Sequence, residues 1–233
     1  FKQKTAYEML RSLVGSEMCI RDRLLAPFFK KRQMMKLKEH PLLKVSRISG
    51  VLAPVIAFSC ILTAISTARE FSWTENALSD LGVQEGVTAT VFNCGLITAG
   101  ILGLIFALGL FVFLRRSLLG KTCSFLFILD TLFLACIGVF PENAEPAHIH
   151  FYFSVLFFVF FPISAFVSTA TFIQMGRKKL GLFTILIALI SAFVWTIPFG
   201  KGVAIPETIT ALSISAWTMT LSVKLMEKAS LNN

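Results

Sequence analysis

Apolar residues run along the chain in six long blocks, at about 48–67, 87–114, 122–140, 149–175, 180–199 and 205–224, joined by short polar connections. A helix needs roughly 20 mostly apolar residues to cross the ~30 Å hydrocarbon core of a bilayer. Each block is therefore predicted to be a membrane-spanning helix. The second and fourth are long enough to tilt or to run on into the interface. The expected fold class is all-α: a polytopic membrane protein, a bundle of six transmembrane helices. Pro54 and Pro162 fall inside blocks, as membrane helices tolerate, and Pro198 reads as a terminator. Gly95, Ala99, Gly103 and Ala107 recur every fourth residue in the second block, a row of small side chains that lets helices approach closely.

Composition agrees with this pattern. Hydrophobic residues make up 55% of the chain, 24 residues are Phe, only 15% are charged, and the mean hydropathy is +0.76. A soluble domain of this size could not hide so much apolar surface.

The formal charge of +9 is segregated rather than spread. On one side of the predicted spans lie Lys30, Lys31, Arg32, Lys36, Lys38, Lys44, Arg47, Arg115, Arg116, Lys121, Arg177, Lys178, Lys179, Lys224 and Lys228. The other side holds only Arg69 and Lys201, together with Glu70, Glu75, Asp80, Glu85, Glu142, Glu145 and Glu207. Lys and Arg in short loops mark the cytoplasmic side. Both termini are thus expected to be cytoplasmic, in a plasma or inner membrane. The partners this implies are the lipid bilayer and, on the cytoplasmic side, anionic lipid headgroups. Nucleic-acid binding is the wrong reading of such a distribution. Cys60, Cys94, Cys123 and Cys136 all lie in or at the ends of spans, so no disulfide framework is suggested.

Residues 2–23 resemble a translated sequencing-library adapter and are set apart from fold reasoning. Without residues 1–23 the charge falls to +7. Residues 24–45 then form a basic cytoplasmic segment, with translation expected to start at Met34 or Met35. Residues 46–225 are the transmembrane domain and 226–233 a short cytoplasmic tail.

Candidate chemistry gathers on the acidic side. The first connection there reads Phe71-Ser72-Trp73-Thr74-Glu75-Asn76-Ala77-Leu78-Ser79-Asp80-Leu81-Gly82. The second runs from Phe140 through Glu142 to His148 and His150, and the third reaches Glu207. Asp80, Glu142, His148 and Glu207 are candidate ligands for a divalent metal, since a neutral imidazole with carboxylates is a plausible set. Asp80, Glu142 and His148 are equally candidates for acid–base catalysis. Asn76, Ser79, Asn93 and Asp130 are candidates to bind substrate. Two residues turn a helix by about 200°, so His148 and His150 cannot face the same way, and His148 is the expected ligand. The simpler reading is that these residues cap helices and solvate turns. Ser72 and Thr74 are then expected to cap a short interfacial helix, with Glu75 in its first turn. Asp130 stands near the middle of the third block, where a carboxyl is costly and marks function by default. Its expected partners are Thr131, Asn93 or Ser154.

Three segments in order, Asn76 to Gly82, Phe92-Asn93, and Gly138-Val139-Phe140-Pro141-Glu142 followed by His148, resemble the DUF998 family. The resemblance covers about residues 45–225. It implies a six-span prokaryotic membrane protein with cytoplasmic termini and no assigned activity. Three functions follow as alternatives: a metal-assisted or acid–base hydrolase of lipid-like substrates, a small proton- or ion-coupled transporter using Asp130, or a structural or sensory protein.

Overall fold

The structure is a computed structural model that describes residues 41–144 and 148–230, with side chains to residue 224. Its regular elements are α1 (Pro41–Thr67), α2 (Val87–Leu114), α3 (Leu118–Val139), α4 (Ile149–Gln174), α5 (Lys178–Phe193) and α6 (Ala204–Ser230). Short 3-10 turns cover Ser79–Val83 and Val194–Thr196. The expectations for residues 1–40, including a start at Met34 or Met35, lie outside the described residues, as do Glu145 and Pro146.

The six predicted blocks become six helices. The fifth ends at Phe193 and its 3-10 turn at Thr196, just short of Pro198, which removes a donor and restrains the residue before it. Among the described residues, five helices are long and apolar enough to cross a membrane: α1 to α4, and the stretch Lys178–Thr196. The chain is a multi-pass helical membrane protein. Among the described residues α6 is not one of these five; Glu207, Thr210, Ser213, Ser215, Thr218 and Ser222 interrupt its apolar residues.

Those polar groups are consumed inside the bundle. The Ser213, Ser215 and Ser222 hydroxyls donate to carbonyls of their own preceding turn. Thr210 Oγ1 accepts from Trp195 Nε1 at 3.1 Å, and Trp217 Nε1 donates to Thr184 Oγ1 at 3.3 Å. Two indoles therefore tie α6 and α5 together. Trp217 is wholly buried, with its ring 5.0 Å from Phe127 and 5.9 Å from Phe161.

Each helix packs on the next, and α6 returns to α1, so the helices close a ring. Large apolar side chains such as Val45, Leu62, Phe125, Phe151 and Leu182 point outward, as lipid requires. Small and hydroxylic residues sit between helices, among them Ser46, Ser124, Ser164 and Ser168. The row on α2 serves more than one neighbour: Gly95 lies against Cys60 of α1, Gly103 against Thr131 of α3, and Ala99 faces the interior.

Two connections show how the ends are made. Ser117 caps α3, its hydroxyl accepting from Gly120 N at 2.8 Å. α4 ends in a Schellman motif, with Arg177 N donating to Phe172 O and Gly176 N to Ile173 O. Gly176 takes the left-handed φ of +72° that this motif needs. Beyond it Arg177 lies over the Phe113 ring at the end of α2, bringing two basic connections to one end of the ring.

Candidate functional site

The three acidic connections meet at the opposite end. Backbone bonds join the first to the third: Gly202 N donates to Thr74 O at 2.8 Å and Ala204 N to Asn76 O at 2.9 Å. The first connection folds on Asn76. Its Oδ1 accepts from Ser72 N at 2.9 Å, and its Nδ2 donates to Asp80 Oδ2 at 2.8 Å. Asp80 Oδ2 also accepts from Ala77 N at 3.0 Å, a carboxylate reaching back to the start of the 3-10 turn. That turn begins at Ser79, with Leu78 rather than Ser72 or Thr74 before it, so the expected hydroxyl cap is not made. Asn93 of α2 closes the other side, donating from Nδ2 to Gly82 O at 2.9 Å. A Cβ on Gly82 would sit 2.7 Å from Asn93 Oδ1, so a larger residue there would have to push the Asn93 amide aside.

These bonds divide the motif. Asn76, Asp80, Gly82 and Asn93 hold the turn in place, while Ser79 is turned inward, to Glu142. The Ser79 hydroxyl, in a buried residue, donates to Glu142 Oε1 at 2.7 Å. Glu207, on the first turn of α6, is 7% exposed, and its Oε2 accepts from Leu78 N at 2.6 Å. Asp80 and Glu142 both lie near enough to act on the Glu207 carboxyl electrostatically.

His150, not His148, is the imidazole that turns into this cluster. His148 precedes α4 with a left-handed φ of 71° and an exposed side chain at the mouth of the site. His150 is 6% exposed. Its Nδ1 lies 2.7 Å from Phe140 O. A carbonyl only accepts, so Nδ1 carries the hydrogen. Nε2 then faces Glu142 Oε1 at 4.0 Å, and no described group bonds to it. The alternation of faces along α4 was legible in the sequence; which histidine faced inward was not.

Beneath this cluster opens a cleft of about 780 Å³. Ser79, Glu142, His148, His150 and Glu207 form its polar end. Phe151, Val155, Val159, Ile163 and Phe166 of α4 line its length, with Ser191, Ala192 and Trp195 beside them. Trp195, which was not anticipated, also lines it, as does Ser154, expected only as a partner of Asp130. The candidate metal ligands are not assembled as a set. Asp80 is engaged within its own turn, and among the described residues no three His, Cys, Asp or Glu side chains group as a metal requires.

Asp130 lies elsewhere, fully buried and lining a second cavity in the middle of the ring. The expected partners do not reach it: Thr131 Oγ1 donates to Ile128 O, Asn93 donates to Gly82 O, and Asp130 has no hydrogen bond from Ser154. For Thr131 helical geometry explains this, because a threonine hydroxyl is already within reach of a carbonyl one turn back.

In comparison with known proteins, the family described as Protein of unknown function (DUF998) matches residues 51–224. No curated protein and no solved structure matches the chain.

Proposed function

Since the chain belongs to the DUF998 family, whose function is unknown, we propose from its own geometry that it is a six-span plasma-membrane protein that binds an amphipathic, lipid-like molecule at its outer face. The carrying observation is the cleft, polar at one end and apolar along α4. Phe151 to Phe166 covers roughly 22 Å at the helical rise of ~1.5 Å per residue, the length of an extended acyl chain. These side chains are 39–61% exposed, so the cleft opens sideways to lipid. Its volume lies within the ~300–1,000 Å³ of ordinary ligand sites.

The polar end selects the headgroup. It offers two carboxyls, a hydroxyl and two imidazoles, while Lys201 on the same face is exposed and pairs with Glu75 at 3.9 Å. Such a lining takes a head rich in donors, an ammonium or hydroxyls. The orientation with both termini cytoplasmic puts this end outside, and α6, buried on most sides and hydrogen-bonded to α5, is the sixth span.

A second reading rests on the free edge of His150. An imidazole nitrogen directed at Glu142, beside the Ser79 hydroxyl, suits acid–base hydrolysis at the bound head. In that reading His150 and Glu142 move the proton, and Ser79 positions the head.

A phosphatidylethanolamine with a photoactivatable acyl chain tests the binding reading on the purified chain. Crosslinks should concentrate on 151–166, and Ser79→Ala or Glu142→Gln should lower them about threefold to tenfold, as loss of one ~1 kcal/mol head contact predicts. Label spread evenly over α1 and α4, unchanged by either variant, would sink the proposal.

A further inference from the structure

Asp130 is fully buried, and neither carboxyl oxygen has a hydrogen-bond partner among the described residues. Asp130 lines a cavity of about 110 Å³ between α1, α2, α3, α4 and α6. Three hydroxyls of the cavity wall are committed: Thr131 donates to Ile128 O, Ser215 to Ala211 O and Thr218 to Ser215 O. These three donors are thus spent on their own helices rather than on the carboxyl. An unsatisfied buried carboxyl is expensive, and a ligand that brings donors and positive charge removes the mismatch.

The rest of the wall narrows the ligand. Phe58, Phe92, Phe127, Phe157 and Phe158 line the cavity, and aromatic faces attract cations. A bare divalent ion needs about six oxygens or more, and the wall holds two buried carboxyls, Asp130 and Glu207, the latter already accepting from Leu78 N, with a few hydroxyls beside them. An alkylammonium needs less. Two carboxyl oxygens and a hydroxyl lone pair meet its three N–H groups, and the rings cover its carbons. We propose that the central cavity is a binding site for a small organic ammonium, with Asp130 as its counter-charge and the Phe-lined wall as its cage. The outer cleft shares Ser79, Ser154, Phe158 and Glu207 with this cavity, which makes it the route of entry. The inner site stands independently of what the cleft binds.

The test is thermal unfolding of the full chain in detergent, followed by tryptophan fluorescence, because Trp217 packs on the cavity wall at Phe127. Propylammonium chloride should raise the midpoint by roughly 5 °C or more near saturation. Sodium chloride at equal ionic strength, 1-propanol and tetrabutylammonium should not, since they lack the organic cation, the charge and the fit respectively. Asp130→Asn should abolish the response while leaving photolabelling of the outer cleft unchanged. No shift with propylammonium, an equal shift with any control, or a full shift in Asp130→Asn would each overturn the proposal. Should Asp130→Asn fail to fold, the three controls on the unaltered chain decide it alone.

Discussion

Glu207 joins the outer turn to α6, and two substitutions separate its roles. Its carboxyl is almost enclosed and accepts from the Leu78 backbone at 2.6 Å, joining the 3-10 turn to α6. Glu207→Ala leaves that buried N–H without an acceptor, which costs about 1–3 kcal/mol. Taking about 2 kcal/mol, and the ~2–4 °C per kcal/mol usual for chains of this size, the unfolding midpoint should fall by about 4–8 °C. Glu207→Gln keeps an acceptor oxygen in the same place and removes the repulsion from Asp80 and Glu142. Its midpoint should match or exceed that of the parent chain. Differential scanning fluorimetry of the three proteins in one detergent makes the comparison. Equal losses in both variants would show that the charge, not the hydrogen bond, holds the turn, and would refute this account.

Trp217 should be the most sensitive aromatic position. Trp217→Ala removes a fully buried indole, its bond to Thr184 and its contacts with two Phe rings, and should cost about 3 kcal/mol or more. Trp195→Ala, at a residue 39% exposed, should cost less than half as much; equal midpoints for the two would count against the ring packing described above. For orientation, a fluorescent protein fused at the carboxyl terminus should mature in the cytoplasm, while a periplasmic reporter inserted at Asn143 should be active; the reverse pattern would invert the proposed topology.

Much of the architecture was written in one dimension. In a bilayer every backbone polar group must be satisfied, which a helix does within its own segment, so apolar blocks of roughly 20 residues predict helices. The six blocks reappear within a few residues at most ends, and the basic and acidic connections separate to opposite ends as their alternation implied. Membership of the family was also legible, because Asn76 to Gly82 and Glu142 are local strings.

What those strings do was decided by tertiary structure. Asn76, Asp80 and Asn93 looked like site residues, yet their side chains are spent on Ser72, Ala77 and Gly82. Ser79 and Glu207 read no differently in sequence, but the packing of the turn on α6 brings them to a cleft. His150 replaced His148 as the inward imidazole because the rotation of α4, set by its packing in the ring, cannot be read from spacing. α6 looked apolar enough to span, and only the ring shows its hydroxyls and Glu207 turned inward. Apolar length and loop charge act through the solvent and need no partner, so the sequence by itself determined membrane, helix number and the two faces. A site needs side chains brought together from distant segments, and the closing of α6 onto α1 decided which polar groups found partners and which, like Asp130, were left facing a cavity.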